Sequence, residues 1–538
     1  MPMADIWLPV DTAAMVWDMA ELLRQNILYS IALHCKKSNS IPHIPSSFGN
    51  TSPEVKFMES YTPRPDPMYP GEMTDQNVRS IFAECGDFNT RTLQCGAFTL
   101  YAYAIDGLTS GADISEYVFQ PIMEKLQGDS MYSLYNRALN GVVVNSVAKP
   151  CKGLDDVALM LVNGFCVVLF PGAGAIAFEV KTGEKRGIAA PDVENTSKGP
   201  KDAFVETIRS NTSLIRRHLR TPDLRIYETK VGRRSLTNVS VLWIEGLTNP
   251  ELVARMKKRL DGIDIDGFLS PSAVEEYVTG SRATAFPLLQ YTERTDRFCH
   301  GLLEGRVGLF ADGLPVGYLA PVDIGYLMDS PEDMGRDFIS ASCVRVLRYL
   351  ALLISLLLPG LFIAMIDYHP HFLPEVLGNV LLESKQSVPF ASTWEVLGML
   401  IAFELIQESG IHLPQSIGQS VSIIGGIVVG TAGAEAGLIS PVALIMVSIA
   451  GICGFVLPNR DLAAAVRVWR FVLAVLASVG GLIGVGLGVT VLILHLFSLK
   501  SLGVRYIIPF EPGLLRKRMV KYKRRDRTNS PVDKRKQK

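Results

Sequence analysis

Three glutamates interrupt an otherwise apolar segment, PFASTWEVLGMLIAFELIQESG (389–410), and a fourth, Glu435, interrupts GTAGAEAGLISP (430–441). Glu404 and Glu408 are four residues apart and share one helix face, with Glu395 nearly opposite Glu404. An acid within a membrane is costly unless it faces a bundle interior or water, so all four are candidates for lining an ion path. For Glu404 and Glu408 the alternative is an interfacial helix whose carboxylates reach water. Glu395 follows Ser392 and Thr393 in what the pattern makes a first helical turn, where an acid also complements the dipole. Glu435 stands either at a broken helix of the sort that forms ion or substrate sites, or in a polar loop at the membrane face.

Other groups carry less chemistry. His369 and His371 in DYHPH have no third ligand at a recognisable spacing, so we expect an exposed loop and no metal site. The eight cysteines are scattered without a CxxC pair, which argues against zinc, redox chemistry or a disulfide scaffold. GAGAIAF (172–178) lacks the full phosphate-binding pattern and reads as a turn. HExxH, a Walker lysine and a nucleophile elbow are all missing, so the sequence offers no catalytic residues, no cofactor and no sign of an enzyme. Basic residues cluster at Arg209, Arg216, Arg217, His218, Arg220, Arg225, Arg233 and Arg234 without a nucleic-acid motif. We expect them to form an intersubunit or lipid-facing salt-bridge surface. Gly480, Gly484 and Gly488 recur every four residues, as do Gly426 and Gly430, a spacing that lets helix backbones touch.

The elements that must hold these residues follow from hydropathy. The runs 349–366, 416–434, 441–458 and 471–499 are long, apolar and uncharged except for local breaks, and four in so short a stretch make a membrane domain of about four spans. Arg345 and Arg348 precede the first run, and residues 514–538 carry a net charge of +10, so both ends should be cytoplasmic. That needs an even number of crossings, which the four runs satisfy if 389–408 does not cross. Arg460, Arg467 and Arg470 then fall on the wrong side, a conflict this reading leaves open.

Upstream the chain alternates β-rich and helical stretches. AFTLYAYAIDGLT (97–109) is echoed by VSVLWIEGLT (239–248), and GFCVVLFPGAGAIAFEV (164–180) by GRVGLFADGLPVGYLAPV (305–322). Asp106/Glu245 and Phe170/Phe310 set the offset, which predicts two α/β subdomains on one plan. Residues 38–72 are dense in Ser and Pro and read as a linker after a helix at 4–34. The neutral total charge hides an acidic body, −10 over residues 1–513, and a basic tail suited to anionic lipid.

KGPKDAFVETIRSNTSLIRRHLRTPDLRI (198–226), RLDGIDIDGFL (259–269), LLEGRVGLFADGLP (302–315), SPEDMGRDF (330–338), HLPQSIGQSVSIIGGIVVG (412–430) and GVRYIIPFEP (503–512) together resemble the GerA family of spore germination proteins, A-subunit type. The resemblance covers about 80–512. It implies one component of a nutrient germinant receptor in the inner membrane of a bacterial spore, with a transporter-like B subunit and a lipoprotein C subunit as partners. It also implies a homo-oligomer that forms a nutrient-gated cation channel. Acids at Glu395, Glu404 and Glu435 match the family pattern, whereas Leu400 and Gln407 stand where that pattern has an acid and an arginine. Rival readings are a SpoVAF-like accessory protein acting with the dipicolinate channel, and a secondary transporter. The expected fold is therefore an α/β cytoplasmic region of two related subdomains followed by an α-helical multipass membrane domain. The segments are 1–78 (helix and linker), 79–190 and 191–340 (subdomains), 341–512 (membrane) and 513–538 (tail).

Overall fold

The computed structural model describes residues 68–507, except 144, 146, 182–190, 192, 193, 195, 197, 280–283, 387 and 413–427. The expected N-terminal helix, most of the linker, most of the run 416–434, Gly426 and the basic tail lie outside these residues.

Alternating β-formers build the first sheet: β1 (Phe88–Cys95), β2 (Phe98–Ile105), β3 (Ala148–Cys151), β4 (Phe165–Phe170) and β5 (Gly174–Glu179), in the order β1-β2-β4-β5-β3. β4 is buried at every position because helices cover both faces of the sheet. α1 (Asp75–Ile81) and α4 (Leu154–Val162) lie on one face, and α2 (Gln120–Lys125) and α3 (Met131–Arg137) on the other. The second sheet repeats this order with β6 (Leu224–Val231), β7 (Thr237–Ile244), β8 (Gln290–Thr292), β9 (Val307–Ala311) and β10 (Gly317–Ala320), arranged β6-β7-β9-β10-β8. It is flanked by α5 (Ile208–His218), α6 (Pro250–Asp261), α7 (Pro271–Thr279) and α8 (Thr295–Leu303).

Turn glycines mark equivalent positions in the two sheets. Gly107 and Gly246 have φ of +81° and +74°, Gly164 and Gly305 +82° and +83°, and Gly172 and Gly313 +76° and +84°. The last two pairs make Leu169, not Phe170, the counterpart of Phe310. Burial agrees: Leu169 packs with Val157 and Leu161 of α4, Phe310 packs with Phe298 and Leu302 of α8, and Phe170 points to the other face. A slip of one residue along a strand reverses the side of every side chain, which is why the Phe170/Phe310 match in the sequence misleads.

The basic cluster is neither intersubunit nor lipid-facing at its centre. Buried Arg216 donates to both carboxylate oxygens of Asp87, at 2.6 and 2.8 Å, and to the Leu224 carbonyl at 3.1 Å. Arg225 donates to the carbonyls of Ile81 and Ala83, and Arg209 pairs with Glu228 at 2.7 Å and Asp106 at 3.1 Å. These arginines join the two subdomains within one chain. A buried guanidinium needs an acid and carbonyl acceptors, and the required acid lies far away in sequence, where spacing cannot reveal it.

The helical part comprises α9 (Phe338–Ile363, prolonged by a π turn to Tyr368), α10 (Glu375–Gln386), α11 (Ser392–His412), α12 (Pro441–Phe455) and α13 (Arg460–Ser498). Among the described residues two helical segments, Phe338–Tyr368 and Arg460–Ser498, are long and apolar enough to cross a membrane, and Pro441–Phe455 is shorter. The second is not the single tilted span expected over 471–499. Gly481 has φ +55° and ψ −136°, a conformation open to glycine, and there the helix reverses. A Cβ on Gly484 would overlap the carbonyl oxygen of Leu476, and the His495 ring lies 5.7 Å from that of Trp469. Residues 460–480 and 482–498 are thus two arms of a helical hairpin.

Both feet of the hairpin stand on the second sheet. The Asn459 amide donates to Gln290 at 3.0 Å, and His495 meets the Thr284 hydroxyl at 3.0 Å. Beyond the second arm, β11 (Lys500–Ser501) and β12 (Val504–Arg505) dock through Ser501, which donates to the Leu288 carbonyl at 2.6 Å and accepts from Val322 N–H at 2.9 Å. The tip lies at the far end, where the Tyr368 hydroxyl donates to the Ser478 carbonyl. A hairpin puts Arg460, Arg467 and Arg470 on the arm that rises from the sheets, so that Arg460 lies at the same end of the bundle as Arg345 and Arg348. α11 covers most of the segment 389–408, which the sequence leaves as either a bundle helix or an interfacial one. It lies in the bundle against α12 and α13, running from the tip end, where Thr393 N–H donates to Asp367 at 3.2 Å, back toward the sheets.

Candidate functional site

Three polar layers tie the helices together, beginning where the sheets meet α9. Asp333 is fully buried and accepts from Arg345 Nε at 3.0 Å and from Arg348 at 2.7 and 2.9 Å; Arg345 also reaches Asp329 at 3.1 Å. Burial alone would raise the Asp333 carboxyl, but the hydrogen bond and charge of Arg348 and the charge of Arg345 outweigh it and hold it below the ordinary aspartate range. The arginines sit three apart on the first turns of α9, so they share a face and clamp that helix to the sheet region.

The second layer joins α11 to the rising arm of the hairpin. Glu404 accepts from Arg467 at 3.1 Å and from Arg470 at 3.3 Å. The Arg470 side chain is 5% exposed and its Nε has no partner, while Glu404 is 43% exposed. Glu404 thus bridges α11 to two arginines of the rising arm.

The third layer lies near the tip. Glu395 is buried and accepts from Ser440 N–H at 2.8 Å, while Ser440 Oγ accepts from Ala443 N–H at 3.3 Å. Glu395 therefore caps the N-terminus of α12, not the helix it belongs to. Its other carboxylate oxygen is buried without a partner. Leu400, one helical turn or so along, is buried among Val396, Met399 and Val447, which gives an apolar contact at the position where an acid was expected from the family pattern.

The remaining expected residues are not gathered into these layers. Glu408 and Glu435 are exposed, Glu435 at the end of the short helix Gly433–Glu435. Gly484 and Gly488 close the hairpin within one chain; Gly480 faces open space, and a Cβ added at Gly430 would lie 3.5 Å from the Leu444 side chain. His371 is exposed, and among the described residues no cluster of three or more His, Cys, Asp or Glu could hold a metal ion. Of GAGAIAF only Gly172 and Ala173 lie in the β4–β5 turn; Gly174–Phe178 are strand β5, so the expected turn is mostly strand.

At the foot of the hairpin, Glu275 on α7 faces Asp461, with Arg460, Tyr291 and the buried hydroxyl of Tyr318 around the pair. Burial first, then the charge of Asp461, pushes Glu275 up to about 7. A folded state that holds this proton longer than the unfolded chain loses stability as pH rises from the ordinary glutamate range to about 7. Glu275→Gln is therefore expected to melt above the parent at about pH 8 and alongside it at about pH 4, in thermal unfolding across that range.

Sequence reasoning did not find Asp333, Asp87 or Gly481. The arginine pairs at spacing three (345/348 and 467/470) were a visible signal that two helix faces seek acids.

Comparison with known proteins adds a family. Residues 76–531 match the family described as Bacillus/Clostridium GerA spore germination protein. "Uncharacterized membrane protein YfkQ" of Bacillus subtilis (strain 168) is 34% identical over 442 residues, 81% of this chain and 85% of its own. "Spore germination protein B1" of the same organism is 31% identical over 438 residues, 80% of this chain and 90% of its own. The crystal structure of the N-terminal domain of the A subunit of the Bacillus megaterium spore germinant receptor GerK3 matches 46% of this chain and 92% of that one, at 26% identity and a TM-score of 0.36.

Proposed function

The chain belongs to the Bacillus/Clostridium GerA family of spore germination proteins, and from that premise we propose that it is the A-type membrane subunit of a nutrient germinant receptor in the inner membrane of a bacterial spore. It works beside a transporter-like B subunit and a lipoprotein C subunit. Copies of it assemble around a path for monovalent cations, with the sheets and the tail on the cytoplasmic side.

The observation that carries this reading is the grip of the second sheet on the apolar helices, through Asp333 on α9 and through both feet of the hairpin. A partner that binds nutrient and moves the sheets would shift α9 and the hairpin together, and so bias a closed–open equilibrium. The Glu404 clamp would have to loosen for its carboxylate to meet a passing cation.

Glu404→Gln separates clamp from path. It leaves Arg470 buried opposite a neutral partner, so the amount of folded protein in the membrane should fall, and Glu404→Leu with Arg470→Leu should restore much of it. Immunoblots of washed membranes read both. Unchanged abundance with slower cation release would instead make Glu404 a group on the path.

Deleting the gene and following potassium release from spores across single nutrients, and with external dipicolinate, tests the function. Loss of the response to particular nutrients, with the dipicolinate response intact, supports the receptor. Slowing with every nutrient would replace it with the accessory role.

A further inference from the structure

The end of the bundle remote from the sheets carries an apolar patch. Phe372 is 72% exposed, Val376 80% and Trp394 69%, and Val380 and Phe390 are exposed beside them. Helical spacing divides the outer surface of α10 into two stripes. Val376 and Val380 form one, and Glu375, Asn379 and Glu383 form the other. The inner side is fixed to the bundle: Leu381 is buried, and Lys385 pairs at 2.9 Å with Asp367, which also accepts from Thr393.

The position of this patch identifies what covers it. Arg348 sits in the clamp and Tyr368 at the hairpin tip, twenty helical residues apart or about 30 Å, the thickness of a bilayer's hydrocarbon core. Between those levels α9 exposes Leu350, Leu353 and Ile354 and the hairpin exposes Ile483 and Leu487, apolar side chains on an outer surface of hydrocarbon-core height. A helix lying along a lipid–water boundary needs its valines and its acids on separate stripes, with aromatic rings at headgroup depth.

We propose that α10 with Phe372, Phe390 and Trp394 forms an interfacial collar that lies in the headgroup region of the bilayer face opposite the sheets, with lipid as its occupant. The collar rests on the reading of the chain as a membrane protein, and the two fail separately. Resistance of the full chain to carbonate extraction from phosphatidylcholine vesicles tests the membrane reading. The collar is tested in the same vesicles by the emission that Trp394→Phe removes from the parent. That share should be lost with phosphatidylcholine brominated near the glycerol backbone, and be better preserved with lipid brominated near the chain ends. Val376→Asp with Val380→Asp should leave the chain in the membrane but expose Trp394 to aqueous iodide. Quenching of parental Trp394 by iodide alone would place it in water, and shielding from both bromine and iodide would mean that a second copy covers the patch. Either result overturns the collar.

Discussion

Asp333→Asn is expected to destabilise the protein by about 3–5 kcal/mol, because it removes the one acid that pairs with the buried guanidinium of Arg348 among the described residues, and an acid that Arg345 also pairs with. The loss should appear in thermal unfolding of the chain in nanodiscs. The sign with pH follows from the depressed carboxyl: its contribution is present above the ordinary aspartate range and is lost as pH falls through the lowered value, so parent and variant should converge in acid. The exposed pair Arg233–Asp264 is the control, and Arg233→Ala should cost no more than about 1 kcal/mol. Since Asp333 joins sheet to helix, the variant should also unfold in two steps, sheets and bundle separately, where the parent shows one. A single transition at the parental temperature would remove the clamp from the account.

Gly484→Ala is the second large effect. The new methyl group would overlap the Leu476 carbonyl, which is backbone and cannot rotate away, so the arms must part. Overpacking of this kind costs about 1–3 kcal/mol and more where backbone must move. Gly480→Ala, one turn away and facing open space, should be neutral or slightly stabilising through helix propensity. The contrast between two glycines of one repeat makes the test specific to the hairpin. Equal melting temperatures for the two variants would mean that the arms do not touch.

Much of the fold was legible. The echoes IDGLT and IEGLT mark equivalent strand ends because β2 and β7 run into the same glycine turn. The apolar runs gave the helices that could enter a membrane. What sequence alone missed depends on one dihedral or on distant partners. Twenty-nine uncharged residues look like one tilted span until Gly481 takes a positive φ, and nothing in its neighbours distinguishes it from Gly480. Glu404 was found by its cost in an apolar setting, but its two arginine partners lie more than sixty residues away, where spacing cannot reveal them. Glu395 was assigned to the dipole of its own helix, and the structure gives it to α12, a matter of tertiary packing. The basic cluster failed for the same reason, since Asp87 is over a hundred residues from Arg216.

Both feet of the hairpin lie on the sheet side. Arg460→Cys and Lys500→Cys, each in a chain with Cys35, Cys343 and Cys453 replaced by serine, can be exposed to a membrane-impermeant maleimide in intact bacterial cells and in inverted vesicles. Labelling of both in inverted vesicles and of neither in intact cells is the predicted result. Labelling of the two on opposite faces would restore a single crossing span and contradict the account.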